Sequence, residues 1–118
     1  MYVKSIDREA HTLIDCNGTD WKYYYSPEEL AEALLNAVKT NPDFSDVSVV
    51  DTWTQEPSIT LYNYGIVSCQ HNGSPAYLLI RQTTSGESTY IDYMLSITST
   101  DAPTRSLSRH LLDIVAHQ

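Results

Sequence analysis

Residues 57–97, PSITLYNYGIVSCQHNGSPAYLLIRQTTSGESTYIDYMLSI, constrain the fold more than any other stretch of this chain. They read as strands folded back on one another. Asn72-Gly73 marks a tight reversal, because both residues tolerate the positive φ that a type I′ hairpin turn demands. A second reversal is expected over the polar run 83–87, with Gly86 where a bulge would fall. The spacing predicts strands over 58–64, 66–71, 76–82 and 88–97, preceded by one over 47–54. Side chains alternate across a strand, so Ile91, Tyr93, Leu95 and Ile97 share one face, and Tyr90, Asp92, Met94 and Ser96 the other. Tyr77-Leu78-Leu79-Ile80 is apolar on both faces and reads as an interior strand.

The segments on either side supply helices and further strands. Residues 2–6 suit a short strand or arm. Residues 11–15 and 20–25 flank Cys16-Asn17-Gly18-Thr19 and read as a second hairpin. Ser26-Pro27-Glu28-Glu29 is a capping box: Ser26 caps, Pro27 takes the first helical position, and Glu29 stands three residues on. Leu30, Leu34, Ala37 and Val38 recur at helical spacing, flanked by Ala31 and Leu35, and Asn41-Pro42 stops the helix. A last helix is expected over 103–117, with Asp101 as cap, Pro103 in its first turn, and Leu107, Leu111, Ile114 and Val115 as its buried stripe. Arg109 and Asp113 are spaced for an i,i+4 pair. The fold class is therefore α+β: one domain over residues 1–118, a mainly antiparallel sheet of about five to seven strands, and two helices packed against one face of it.

Charge narrows the function classes. Fifteen acids stand against seven Lys and Arg, giving a net charge of −8. The acids crowd into residues 1–60, which hold eleven of them and four bases. Such a chain repels phosphate backbones, which argues against direct nucleic-acid binding and favours a basic protein partner. No run approaches the ~20 apolar residues of a membrane span, and the start MYVKSIDREAH lacks an apolar signal core, so a cytoplasmic location is expected. Two distant cysteines make no disulfide framework.

A search for chemistry finds little. Cys69-Gln70-His71 puts a thiol and an imidazole on the same strand face, but about 7 Å apart, beyond hydrogen-bond reach. Cys69-x-His71 is the one short-spaced ligand pair a zinc site could use, and phosphate-binding glycine loops are absent, so no metal, cofactor or catalytic residue is expected. What stands out is aromatic surface: nine tyrosines and two tryptophans against one phenylalanine. Asp20, Trp21 and Tyr23 mix acids with aromatic rings, as do Asp46, Asp51, Trp53, Glu56, Tyr62 and Tyr64. Acid rims around aromatic anchors suit a basic partner that offers apolar pockets.

The order of parts has a counterpart. A helix opened by Ser-Pro-Glu-Glu-Leu at 26–30, after an early strand and before a meander with Asn-Gly punctuation, resembles the immunity proteins of bacterial polymorphic-toxin systems. The likeness covers residues 11–98; those proteins often close with a further strand, whereas this chain ends in a helix. The resemblance implies a non-enzymatic inhibitor that occludes the basic active site of a toxin domain, and phage-encoded inhibitors of bacterial defence share the same bulk properties. The alternative reading is a small-molecule or nucleotide-sequestering domain. It requires a concave pocket between sheet and helix, lined by aromatics and His71, into which Arg81, Arg105 or Arg109 points. Exposed strand edges also allow a homodimer.

Overall fold

The computed structural model describes residues 2–5, 26–86, 88–97 and 101–116. Its elements are β1 (Tyr2–Ser5), α1 (Pro27–Lys39), β2 (Phe44–Gln55), β3 (Thr60–His71), β4 (Ser74–Ser85), β5 (Ser88–Ile97) and α2 (Arg105–Ala116). The class is α+β, as expected. All strand pairs are antiparallel, in the order β1-β5-β4-β3-β2. The expected hairpin over 11–25 lies outside the described residues.

The sheet rests on four long strands, with the four-residue β1 added at one edge. Among the described residues the count falls no higher than the low end of the expected five to seven, because residues 58–64 and 66–71 are one strand, β3, which runs straight through Gly65. That glycine is not a break. It is a point of close approach, where an added Cβ would stand 3.0 Å from the Ala31 Cβ of α1 and 3.1 Å from the Ile80 Cγ2 of β4. The turns are tighter than the composition suggests. Asn72 and Gly73 take φ of 52° and 83° and join β3 to β4 as a two-residue loop. Strand β4 continues to Ser85, which pairs with Ser88, so the polar run 83–87 is mostly strand. At the other edge β2 begins at Phe44, three residues before the expected start, and carries two register irregularities, with Asp46 at φ 52°. Bulges of this kind twist an edge away from further pairing.

Helix α1 forms as its sequence dictates. Ser26 Oγ accepts a hydrogen bond from Glu29 N at 3.2 Å, Pro27 fills the first turn, and Lys39 lies in the last turn at the negative end. The stripe Leu30, Leu34, Ala37 and Val38 is buried together with Ala31 and Leu35. It packs on Val67 and Cys69 of β3, Leu78 and Ile80 of β4, and Ile91, Tyr93 and Leu95 of β5. Burying one such leucine contributes about 1.5–3 kcal/mol.

Helix α2 corrects two expectations. Its cap is Thr104 rather than Asp101: Thr104 Oγ1 accepts from Leu107 N at 3.1 Å, and its carbonyl accepts from Ser108 N at 2.9 Å. The helix is therefore turned, burying Ser108, Leu111 and Leu112 while Ile114 faces solvent. It also lies on the opposite face of the sheet from α1. Leu111 and Leu112 cluster with Trp53, Tyr64, Ile66, Leu79 and Met94, apart from the cluster that α1 forms with Val67, Leu78, Ile80 and Tyr93. The arrangement has three layers, helix on sheet on helix, and not two helices on one face.

Candidate functional site

One rung of the sheet builds the site. Trp53 pairs with Tyr64, Tyr64 with Arg81, and Arg81 with Asp92, so four side chains from four adjacent strands stand in a row. They face α2. Trp53 and Tyr64 stack with ring centroids 4.7 Å apart and planes 4° from parallel, and Tyr62 leans against Tyr64 at 6.2 Å. The Arg81 guanidinium lies 5.5 Å from the Tyr62 ring and 5.9 Å from that of Tyr64, within cation–π reach of both.

Helix α2 closes over this row through ion pairs. Arg81 bonds Asp113, donates to the Leu112 carbonyl at 3.4 Å, and stands 3.9 Å from Asp92. Asp113 therefore serves Arg81 across the sheet, where the helical spacing predicts a partner in Arg109. Burial disfavours the Arg81 charge, but hydrogen bonds to Asp113 and Tyr64 outweigh it and hold its pKa above the ordinary value. Burial pushes the Tyr64 phenol up, against the pull of Arg81.

At the other end of the helix Arg105 donates two parallel hydrogen bonds to Asp51, 2.8 Å from Nε and 2.9 Å from Nη2, and covers the Trp53 ring at 5.1 Å. This fork-on-carboxylate geometry fixes where the first turn of α2 sits. The hydrogen bond from Arg105 holds the Asp51 carboxyl below its ordinary value of 3.8. A depressed carboxylate stabilises the fold fully above its unfolded pKa, and the gain disappears as pH falls through the lower folded value. Asp51→Asn should therefore flatten that part of the acid limb of thermal stability below about pH 4, measured against wild type. Identical acid limbs in the two proteins would show that the latch contributes nothing.

Between α2 and the aromatic wall runs an open groove in two adjoining compartments. The larger, about 450 Å³, takes Gln55, Glu56 and Pro57 at its rim, Tyr62 and Tyr64 along its wall, Arg81 at its buried end, and Arg109 and Asp113 from the helix. The smaller, about 380 Å³, is lined by Trp53, Thr54, Gln55, Arg105, Ser106 and Arg109. Gln55 and Arg109 line both. Each compartment falls within the ~300–1,000 Å³ typical of small-molecule sites.

The residues expected at a partner surface divide. Asp20, Trp21 and Tyr23 lie outside the described residues. Asp46 is exposed at the bulge, in the Phe44 end of β2, away from the others. Asp51 is engaged by Arg105. Trp53 and Tyr64 are 7% and 1% exposed, so their rings belong to the core and are not free anchors. Glu56 is exposed and Tyr62 half-buried, both on the groove. Arg81, Arg105 and Arg109, required by the alternative reading, all reach it, whereas His71 packs on Phe44 and takes no part in it. Gln55, Pro57 and Asp113 were not expected there, nor Asp92 beside Arg81 in the rung behind it. The one sequence signal for them is a pair of charges, Arg81 and Asp92, inside otherwise apolar strands.

Among the described residues, no three His, Cys, Asp or Glu side chains come together to hold a metal ion, and no helix is long and apolar enough to cross a membrane. Cys69 is buried on the α1 face, its Sγ donating to the Ala76 carbonyl at 3.7 Å. Burial pushes its thiol up to about 11. Thiolate is the reactive form, so in a Cys16→Ser background native protein should resist iodoacetamide at neutral pH and label rapidly in urea. Equal labelling rates in the two conditions would contradict a closed α1 layer. Compared with protein-family models, curated proteins and solved structures, the chain finds no match in any of the three.

Proposed function

We propose that this domain is a non-enzymatic module that binds a small anionic ligand in the groove beneath α2. The observation that carries the reading is convergence. In a chain of net charge −8, three of the seven Lys and Arg residues meet at one concave, aromatic-walled site. Arg81 and Arg105 are held by carboxylates, which orients them; among the described residues Arg109 makes no ion pair and is the cation left for a ligand.

The test is capture from a complex mixture. Purified protein is incubated with the small-molecule fraction of a cell extract, desalted and denatured, and the released compounds are identified by mass spectrometry. An anionic compound enriched on wild type and lost on Arg109→Glu supports the reading. Equal recovery on both proteins contradicts it.

A second reading retains the immunity-type inhibitor, which would occlude a basic protein target. Its support is that Glu28, Glu29, Glu32, Asp43, Asp46 and Glu56 are all exposed. Association steered by such charge slows steeply with added salt, and charge reversal at Asp46 and Glu56 should slow it further. A salt-independent association rate would remove the electrostatic basis of this reading.

A further inference from the structure

The two helices are fastened to the sheet by different means. Under α1 the contact is apolar and close. Leu30, Leu34 and Val38 are fully buried, and a Cβ added to Gly65 would stand 3.4 Å from the Ala31 Cα of that helix. Among the described residues of α2, Leu111 and Leu112 are the deeply buried apolar side chains, with Leu107 partly buried beside them. The other ties of α2 are polar. The Arg105–Asp51 pair is open to water, its side chains 58% and 31% exposed, and the Asp113 carboxylate that holds Arg81 is half-exposed. Hollows of about 450 and 380 Å³ lie along the seam between α2 and the strands.

These differences decide which helix leaves the sheet first. Lifting α1 exposes a continuous apolar surface, with no buried charge released to offset the cost. Lifting α2 exposes leucines and aromatic rings, but it also returns the buried Arg81 guanidinium to water and recovers its lost hydration. The Arg81 Nε proton, which finds no acceptor among the described residues, gains one in the open form. An exposed ion pair such as Arg105–Asp51 contributes little against this, and salt screens it further. We propose that α2 is a detachable strap, which leaves the sheet as a unit while α1 and strands β2 to β5 stay folded. Opening uncovers the inner wall of the groove, Trp53, Tyr64 and Arg81, which the closed form keeps buried. The device belongs to the fold and does not depend on whether the groove takes a ligand.

Native-state hydrogen exchange on the intact protein, in urea too dilute to unfold it, tests this. Amides of residues 108–114 should show protection at least about thirtyfold lower than those of residues 30–38 and of the paired residues of β3 and β4. Their exchange should share one urea dependence, shallower than that of global unfolding but above zero, the mark of a segment that opens together. Raising NaCl from about 0.05 M to about 0.5 M should speed exchange in α2 several-fold and leave α1 unchanged. Arg105→Gln should speed α2 alone in the same way and remove most of the salt effect. Protection and urea dependence in α2 equal to those of α1 would overturn the inference, because the helix then leaves only with the whole fold. Fast exchange without urea dependence would overturn it too, since that reports fraying of single turns. Equal acceleration of both helices in Arg105→Gln would likewise contradict a separate strap.

Discussion

Replacing Arg81 by alanine should remove about 3–5 kcal/mol of stability, as expected when one partner of a buried ion pair is deleted. Asp92 is 4% exposed and would lose the guanidinium that stands 3.9 Å away. Asp113 matters less, because its side chain is 51% exposed and can turn to water. The loss also detaches α2, whose Leu112 carbonyl and Asp113 carboxylate both take hydrogen bonds from Arg81. Against a typical stability of about 5–15 kcal/mol, such a change brings a small domain close to unfolding. The double variant Arg81→Leu, Asp92→Leu should recover much of the loss, since apolar replacement of a buried pair is often neutral. Urea denaturation of the three proteins decides the matter. A single-variant loss below about 1 kcal/mol would mean that the pair is solvated and that the rung does not hold the helix.

Valine at Gly65 should destabilise the protein by about 3 kcal/mol or more, and alanine there by about 1–3 kcal/mol. The cause is distance and not backbone conformation. A Cβ at position 65 meets the Ala31 side chain at 3.0 Å and its Cα at 3.4 Å, so the α1 backbone itself must lift from the sheet. Ala31→Gly makes room at the cost of about 1 kcal/mol of helix propensity. In a double-mutant cycle Gly65→Ala should therefore be less costly in the Ala31→Gly background than in wild type. Strict additivity would show that α1 does not approach β3 this closely.

These residues also show what the sequence made legible. The cap at Ser26, the α1 stripe and the Asn72-Gly73 turn are local signals, and local signals survive into the fold. A glycine between apolar runs, such as Gly65, looks the same in sequence whether it turns the chain or admits a helix. Thr104 was passed over for Asp101 because Pro103 suggested a first turn, although proline suits the position before the cap equally well. The two-faced sheet was hidden in a different way. Tyr77-Leu78-Leu79-Ile80 is apolar on both faces, which announces two covering layers, but alternation along a strand does not say which layer α2 supplies. The site was legible as ingredients and not as a place. Trp53, Tyr62 and Tyr64 were singled out for aromatic character, yet their depth depends on α2, and nothing local to them records that helix. Asp51 reads as a surface acid in the sequence, and the fold brings Arg105, far along the chain, onto it.

Amide hydrogen exchange, with and without the small-molecule fraction of a cell extract, tests most directly the central claim that the groove under α2 is where this domain binds. Added protection is predicted over residues 53–64 and 104–113, the two walls of the groove, with the exposed amides of residues 26–46 unchanged. Protection confined to residues 26–46, or none anywhere while a basic protein partner protects that acidic region, would contradict the claim and give first place to the inhibitor.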